Sequence, residues 1–266
     1  MAATVACPNC GANVPHEHRF CGQCGHPMKS VQAARVAPAA PQPAAVVGAG
    51  RARLVLIRGE GMDGVSYQLN AAEHIAGRKS GAILFPEDHY LSPRHANFFY
   101  DGGQLHVRDE GSLNGVYLRI REPRRLGEGE VFLAGEELLR VSWKALDGQV
   151  AGPDGTHFFA SPAPATTRRV TQLFEGGRPG LCHLVRTASV TVGRENCDIE
   201  FPHDRFISGR HCQVDFDAHG AVVTDLGSRN GTYVRIKGQQ GLSHGDYLFV
   251  GKQLLRVELS GQERTA

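Results

Sequence analysis

Between Arg51 and about Trp143, and again from Val170 to Leu259, apolar residues occur in short runs punctuated by Gly, Pro, Asn and Asp. Inside the runs they alternate with polar positions. Cys212, Val214 and Phe216 alternate with Gln213 and Asp215, and Ala96, Phe98 and Tyr100 recur with the same period, although Phe99 breaks the polar face there. Period-two alternation marks strands with one buried face. Asn114-Gly115 and Asn230-Gly231, each followed by a strand-like run (VYLRI and TYVRI), supply the left-handed turn conformations that join strands. The predicted fold class is all-β, with each unit of roughly 90 residues burying its core between two packed antiparallel sheets.

The two halves are one sequence repeated. An offset of 116 residues places Gly77-Arg78 on Gly193-Arg194, Ser92 on Ser208, Arg94-His95 on Arg210-His211 and Asn114-Gly115 on Asn230-Gly231, without a gap. About 26 of the 65 positions from Gly77 to Val141 are identical, which identifies a duplication. The predicted organisation is a Cys-rich segment at 1–28, an Ala/Pro-rich linker at 29–50, a first sandwich at 51–144, a second linker at 145–169 and a second sandwich at 170–260. Thr166 and Thr167 in the second linker are expected to be an accessible pair, open to a kinase.

Cysteine placement adds a third element. Cys7-Pro-Asn-Cys10 and Cys21-Gly-Gln-Cys24 are two knuckles that can complete a tetrahedral thiolate site, and a segment this short has no core of its own. Cys7, Cys10, Cys21 and Cys24 are therefore expected to hold one structural Zn²⁺ in a small zinc ribbon. Cys182, Cys197 and Cys212 bring the total to seven, an odd number that argues against a disulfide framework; these three read as core or loop residues.

Three short blocks recur in order in both copies: Gly-Arg, Ser-x-Arg-His and Gly-Ser-x-Asn-Gly. They closely resemble the signature of forkhead-associated (FHA) domains, and the resemblance covers residues 51 to about 260. It implies two β-sandwiches whose loops at one end bind phosphothreonine peptides. By the same resemblance Arg78 and Arg194 supply a guanidinium, Ser92 and Ser208 a hydroxyl, and Asn114 and Asn230 grip the peptide backbone, while His95 and His211 support the serine loop from within. The chemistry is consistent, because a phosphothreonine offers nearly two negative charges and three acceptor oxygens to converging donors. Two departures from the family pattern stand out. Pro93 and Gly209 replace the polar residue often found after the serine, and Pro93 also lacks the N–H that Gly209 keeps.

Catalytic patterns are absent by comparison: Ser92 with His95 and Ser208 with His211 lie inside the binding signature, no Gly-x-Ser-x-Gly elbow exists, and the chain is not expected to be an enzyme. A formal charge of +2 gives no strong polyanion field, so a nucleic-acid-binding role for the zinc ribbon is only the alternative. No apolar run is long enough to span a bilayer, and residues 1–6 lack the features of a signal peptide, so a cytoplasmic protein without membrane contact is expected. The expected role is an adaptor or scaffold that docks on threonine-phosphorylated proteins and acts with a Ser/Thr kinase.

Overall fold

The computed structural model describes residues 4–7, 11–15, 52–58, 64–145, 151–162 and 164–260. The chain divides into two compact units, 1–45 and 46–266. In the first unit, Thr4–Ala6 and Asn13–Pro15 pair antiparallel with Val5 opposite Val14. Cys7 directly follows the first of these strands and is buried with Val14.

Among its described residues the second unit is all-β apart from a single 3₁₀ turn at Glu175–Gly177. It contains two sandwiches, and neither is made from one continuous stretch of chain. The first core gathers Leu54, Leu56, Phe98 and Val107 from the first copy with Leu248, Val250, Leu255 and Val257 from the far end of the second. The second core gathers Val190, Val192, Val214 and Val223 with Phe132, Leu139 and Val141 from the first copy. The copies have exchanged their last strands. Gln253–Leu259 pairs with Ala52–Arg58, so that Val257 stands opposite Leu54, and Glu137–Ser142 pairs with Arg169–Leu173, so that Val141 stands opposite Val170.

The crossing points follow the strands Val116–Arg119 and Thr232–Arg235. These two strands pair antiparallel with Leu118 opposite Val234, and so join both halves into one ten-stranded sheet. Each sandwich is closed by its own five-stranded sheet, and the short strands Arg124–Leu126 and Gln239–Gly241 are also exchanged into them. On the other face of the long sheet Tyr117, Tyr233 and Phe249 form a separate buried cluster, with the Tyr233 and Phe249 rings edge to face at 4.8 Å. Burying an aliphatic side chain contributes roughly 1.5–3 kcal/mol. The four residues lent by the C-terminal hairpin are therefore a substantial part of the first core.

This composition differs from contiguous sandwiches at 51–144 and 170–260. The first consists of strands within 52–119 and 239–259, and the second of strands within 124–142 and 169–235. The alternation seen in sequence is otherwise reproduced: Cys212, Val214 and Phe216 point inward, as do Ala96 and Phe98. Phe99, out of pattern, stacks on His106 at 5.7 Å and carries the Arg108 guanidinium over its ring at 5.3 Å. The Thr166 and Thr167 hydroxyls donate to the carbonyls of Val185 (2.9 Å) and Trp143 (2.6 Å); Thr166 is half-buried and Thr167 is exposed.

Candidate functional site

Each copy brings its three blocks together through the same set of backbone bonds. The Gly-Arg block ends the strand Glu73–Gly77 in the first copy and Ser189–Gly193 in the second. Arg78 N–H donates to the Ser92 carbonyl at 3.1 Å, and Arg194 N–H to the Ser208 carbonyl at 2.9 Å. Glycine is required before each arginine, because a Cβ on Gly77 or Gly193 would collide with the carbonyl of Pro93 or Gly209.

The serine loop is held from beneath by histidine. His95 is fully buried, accepting from Ser92 N–H at Nδ1 (3.1 Å) and meeting the Gly115 carbonyl through Nε2 (2.9 Å). His211 repeats this with Ser208 (3.0 Å) and Gly231 (3.1 Å). An Nδ1 that accepts an amide proton fixes the neutral Nε2–H tautomer, and burial lowers both histidine pKa values. The serine hydroxyls do not point to these rings. Ser92 Oγ accepts from Leu113 N–H (3.1 Å) and Ser208 Oγ from Arg229 N–H (3.0 Å), which leaves each hydroxyl proton free to be given away. The Ser–His pairs are thus loop anchors, not nucleophile and base.

The asparagines close the loops. Asn114 Nδ2 donates to the Tyr90 carbonyl (2.8 Å) and Asn230 Nδ2 to the Phe206 carbonyl (2.7 Å), so that each side-chain carbonyl remains open as an acceptor for a peptide backbone. Arg194 is exposed, and its nearest carboxylate is Glu195 at 4.0 Å; Arg78 is half-buried with Nε bonded to the Leu91 carbonyl at 3.1 Å. Around each serine, a guanidinium, a hydroxyl proton and an amide carbonyl lie within one loop cluster.

Several residues that shape these clusters were not singled out from the sequence. Asp88 and Asp204 are buried behind the serine loops. Asp88 accepts from Tyr90 N–H in its own copy and from Lys252 N–H and Gln253 Nε2 in the other (2.9, 2.8 and 2.8 Å). Asp204 accepts from Phe206 and Ile207 in its own copy and from Glu136 in the other (2.7, 3.2 and 2.7 Å). Arg235 lies under the first Asn-Gly turn, 3.5 Å from Asp109 and 3.4 Å from the Ser112 carbonyl, and Arg119 lies under the second. A Cβ on Gly115 would strike Arg235, and one on Gly231 would strike Arg119. All four residues are identities of the repeat, at offset 116, and that was their visible signal.

In the N-terminal unit only Cys7 of the four predicted ligands lies among the described residues; Cys10, Cys21 and Cys24 lie outside them. The Cys7 amide donates to the Ala12 carbonyl (2.9 Å) and its carbonyl accepts from Gly11 N–H (2.8 Å), a tight reversal of the kind that encloses a Cys-x-x-Cys pair. Of the remaining cysteines, Cys212 is in the core, Cys197 is half-buried and Cys182 is exposed. No helix among the described residues is long and apolar enough to cross a membrane.

Comparison with known proteins gives a consistent picture. The FHA domain model matches twice, at residues 74–135 and 190–251. The chain is 38% identical over 111 residues to the oxoglutarate dehydrogenase inhibitor of Corynebacterium efficiens, covering 42% of this chain and 74% of that protein. It is 42% identical over 74 residues to the glycogen accumulation regulator GarA of Mycolicibacterium smegmatis, covering 28% of this chain and 46% of that protein. A solved domain, described in work on phosphothreonine-dependent FHA domain interactions, shares 26% identity over 35% of this chain and 99% of its own length, with a TM-score of 0.22. The chain belongs to the FHA domain family and carries the domain twice.

Proposed function

We propose that this protein is a phosphothreonine-binding regulatory adaptor in Ser/Thr kinase signalling. The observation that carries the reading is the doubled cluster of a guanidinium, an unspent serine hydroxyl proton and an asparagine carbonyl, held rigidly by a buried neutral histidine. Such a cluster offers several donors to a dianionic phosphate and an acceptor to the adjoining peptide. The relatives are named as an enzyme inhibitor and a metabolic regulator, which is in keeping with action by docking on a partner rather than by catalysis.

The pairing of Val116–Arg119 with Thr232–Arg235 sets the reach of the two readers. Tyr117 stands opposite Arg235, so Asn114 and Asn230 lie at opposite ends of the pair, roughly 25 Å apart at about 3.3 Å per residue. A peptide with two closely spaced phosphothreonines engages one reader at a time, and the two sites suit two partners or one long segment. Titration of matched phosphothreonine, phosphoserine and unphosphorylated peptides into the full chain tests the reading. Binding is expected only with phosphate and most tightly with phosphothreonine; equal binding of the unphosphorylated peptide overturns it.

The N-terminal segment completes the proposal as a zinc ribbon held by Cys7, Cys10, Cys21 and Cys24, supported by the Cys-x-x-Cys spacing and the reversal at Cys7. It would serve as a second attachment point in the cytoplasm. Elemental analysis should give near one zinc per chain; a zinc-free preparation with a protected N-terminus in hydrogen exchange rules it out.

A further inference from the structure

The two readers differ at the residue whose backbone meets the serine hydroxyl. Leu113 N–H donates to Ser92 Oγ at 3.1 Å in the first copy, and Arg229 N–H donates to Ser208 Oγ at 3.0 Å in the second. A phosphate that takes the serine proton comes to rest beside these residues, so their side chains stand next to the peptide that carries it. Each is followed by the asparagine whose side-chain carbonyl is open to that peptide. The two positions correspond at the offset of 116, yet one side chain is apolar and the other cationic.

Neither side chain is used by the fold. Leu113 is 84% exposed. Arg229 is exposed, and its guanidinium has no ion pair or hydrogen bond among the described residues; Glu195, on the neighbouring loop, faces Arg194 at 4.0 Å instead. The bond to the serine comes from the backbone, so the turn forms with either residue. A second difference lies beside the first. In the first copy Glu110 N–H donates to the His95 carbonyl at 2.9 Å, and the Glu110 carboxylate takes Arg94 at 3.3 Å and Arg108 at 2.8 Å. In the second copy Leu226 N–H makes the same bond to the His211 carbonyl at 2.9 Å, but it brings no carboxylate, and the exposed Arg210 has no acidic partner among the described residues.

We propose that Arg229 is a specificity-determining residue, which makes the second reader select phosphothreonine peptides with an acidic side chain close to the phosphothreonine; this rests on the phosphothreonine reading above. Two residues of extended chain span about 7 Å, within the reach of an arginine side chain anchored at the serine. A carboxylate at that distance from the phosphothreonine meets a planar guanidinium with no other partner. The first reader offers an exposed leucine at the same place and a carboxylate nearby, so it has no use for an acidic neighbour. The two readers then recruit chemically different segments.

Calorimetry of the full chain with short phosphothreonine peptides tests the assignment, one peptide having alanine at every flanking position and the others a single Asp at each nearby position on either side. The second reader is measured in an Arg78→Ala background. At least one Asp position should improve affinity about fivefold over the alanine peptide at low ionic strength, a gain that shrinks as salt is added. Arg229→Leu should bring this ratio to about one, and Arg229→Lys should keep about half of the gain or more. The first copy already carries leucine at this place in its turn, so Arg229→Leu does not threaten the fold. In an Arg194→Ala background the first reader should show no gain from Asp, and Leu113→Arg should create one. An Asp gain that survives Arg229→Leu, or no gain at any position, overturns the proposal and leaves the phosphothreonine reading standing. Equal binding of the unphosphorylated alanine peptide overturns both.

Discussion

The two readers share a backbone and differ in what supports it. In the second copy Asp225 is satisfied entirely from its own turn, accepting from Gly227 N–H, Ser228 N–H, Ser228 Oγ and Thr232 Oγ1 at 3.0, 2.8, 2.7 and 2.7 Å. Burial alone would raise the Asp225 pKa, but these bonds outweigh it and hold the carboxyl below its ordinary value. In the first copy Val116 stands where Thr232 would be and has no hydroxyl. Asp109 accepts from Ser112 N–H (2.9 Å), and its other oxygen faces Arg235, a residue of the second copy. At this aspartate the second copy is satisfied by its own residues and the first draws on the other copy. The amide inventory points the same way: Gly209 N–H has no acceptor among the described residues and is open to a phosphate, whereas Pro93 has no N–H to offer. Duplication followed by strand exchange has let the copies diverge in dependence while keeping one geometry.

The sharpest test of that ranking removes each phosphate guanidinium in turn. Arg194→Ala should abolish most phosphopeptide binding at the second reader, a loss of about 10- to 100-fold from charge-assisted bonds worth roughly 1.5–3 kcal/mol each. Arg78→Ala should cost the full chain less, because the first reader starts about tenfold weaker for want of one such bond. Calorimetry on both variants decides between them. A larger loss in Arg78→Ala reverses the ranking.

A smaller effect tests the exchange itself. Arg235→Ala, made in an Arg194→Ala background so that only the first reader is measured, should weaken binding by a further factor of about 3 to 10, because the turn at Ser112–Gly115 loses its guanidinium brace. In an Arg78→Ala background the same substitution should leave the second reader unchanged. An effect confined to the second reader would show that each copy keeps its own strands.

Much of this was legible in the chain, and the reason for the rest is specific. The duplication, the all-β class and the three blocks are local signals, carried by residues close in sequence whose partners in space are close in sequence too. The exchange is not local. LLRV at Leu138 and LLRV at Leu254 are identical and present the same inward faces, so either fits either sandwich, and alternation says nothing about which one it enters. Arg119 and Arg235 lie within the repeated runs VYLRI and TYVRI, but their role exists only across the copies. Thr166 and Thr167 sit in a stretch whose composition suggests an open linker, but their hydroxyls meet carbonyls 19 and 24 residues away, contacts that composition does not encode.

Both readers should also respond alike to acid, which sets a limit on the comparison. His95 and His211 are neutral acceptors at Nδ1, and a proton there would oppose the N–H of Ser92 or Ser208. Burial lowers both pKa values relative to the unfolded chain. The unfolded state therefore binds more protons, and the stability these rings contribute is present in full above about pH 6.5 and is lost as pH falls through the folded values. Denaturant midpoints for wild type and the His95→Gln and His211→Gln variants between pH 7.5 and 5 should show a fall on acidification that each substitution reduces. Identical pH slopes in all three proteins would exclude the histidines as its source.

The smallest expected effect asks whether borrowing can be undone. Val116 is fully buried in the first core, and threonine matches its shape, so Val116→Thr adds a hydroxyl with little change in packing. In the second copy the same hydroxyl reaches Asp225 Oδ2 at 2.7 Å, and by the repeat it should reach Asp109 Oδ2. A buried hydroxyl with a carboxylate acceptor avoids the desolvation penalty of an unpaired one, and the net gain should be about 1 kcal/mol or less. The informative quantity is the coupling. With Asp109 satisfied from its own strand, Arg235→Ala should cost the first reader less in the Val116→Thr protein than in wild type, and a double-mutant cycle on phosphopeptide affinity measures the difference. Thr232→Val provides the converse, leaving Asp225 short of one donor with no ion pair from Arg119 to replace it, at a cost of roughly 1–3 kcal/mol in unfolding free energy. If the cycle shows no coupling between positions 116 and 235, the two supports act independently and the first reader does not depend on its partner copy for the reason given.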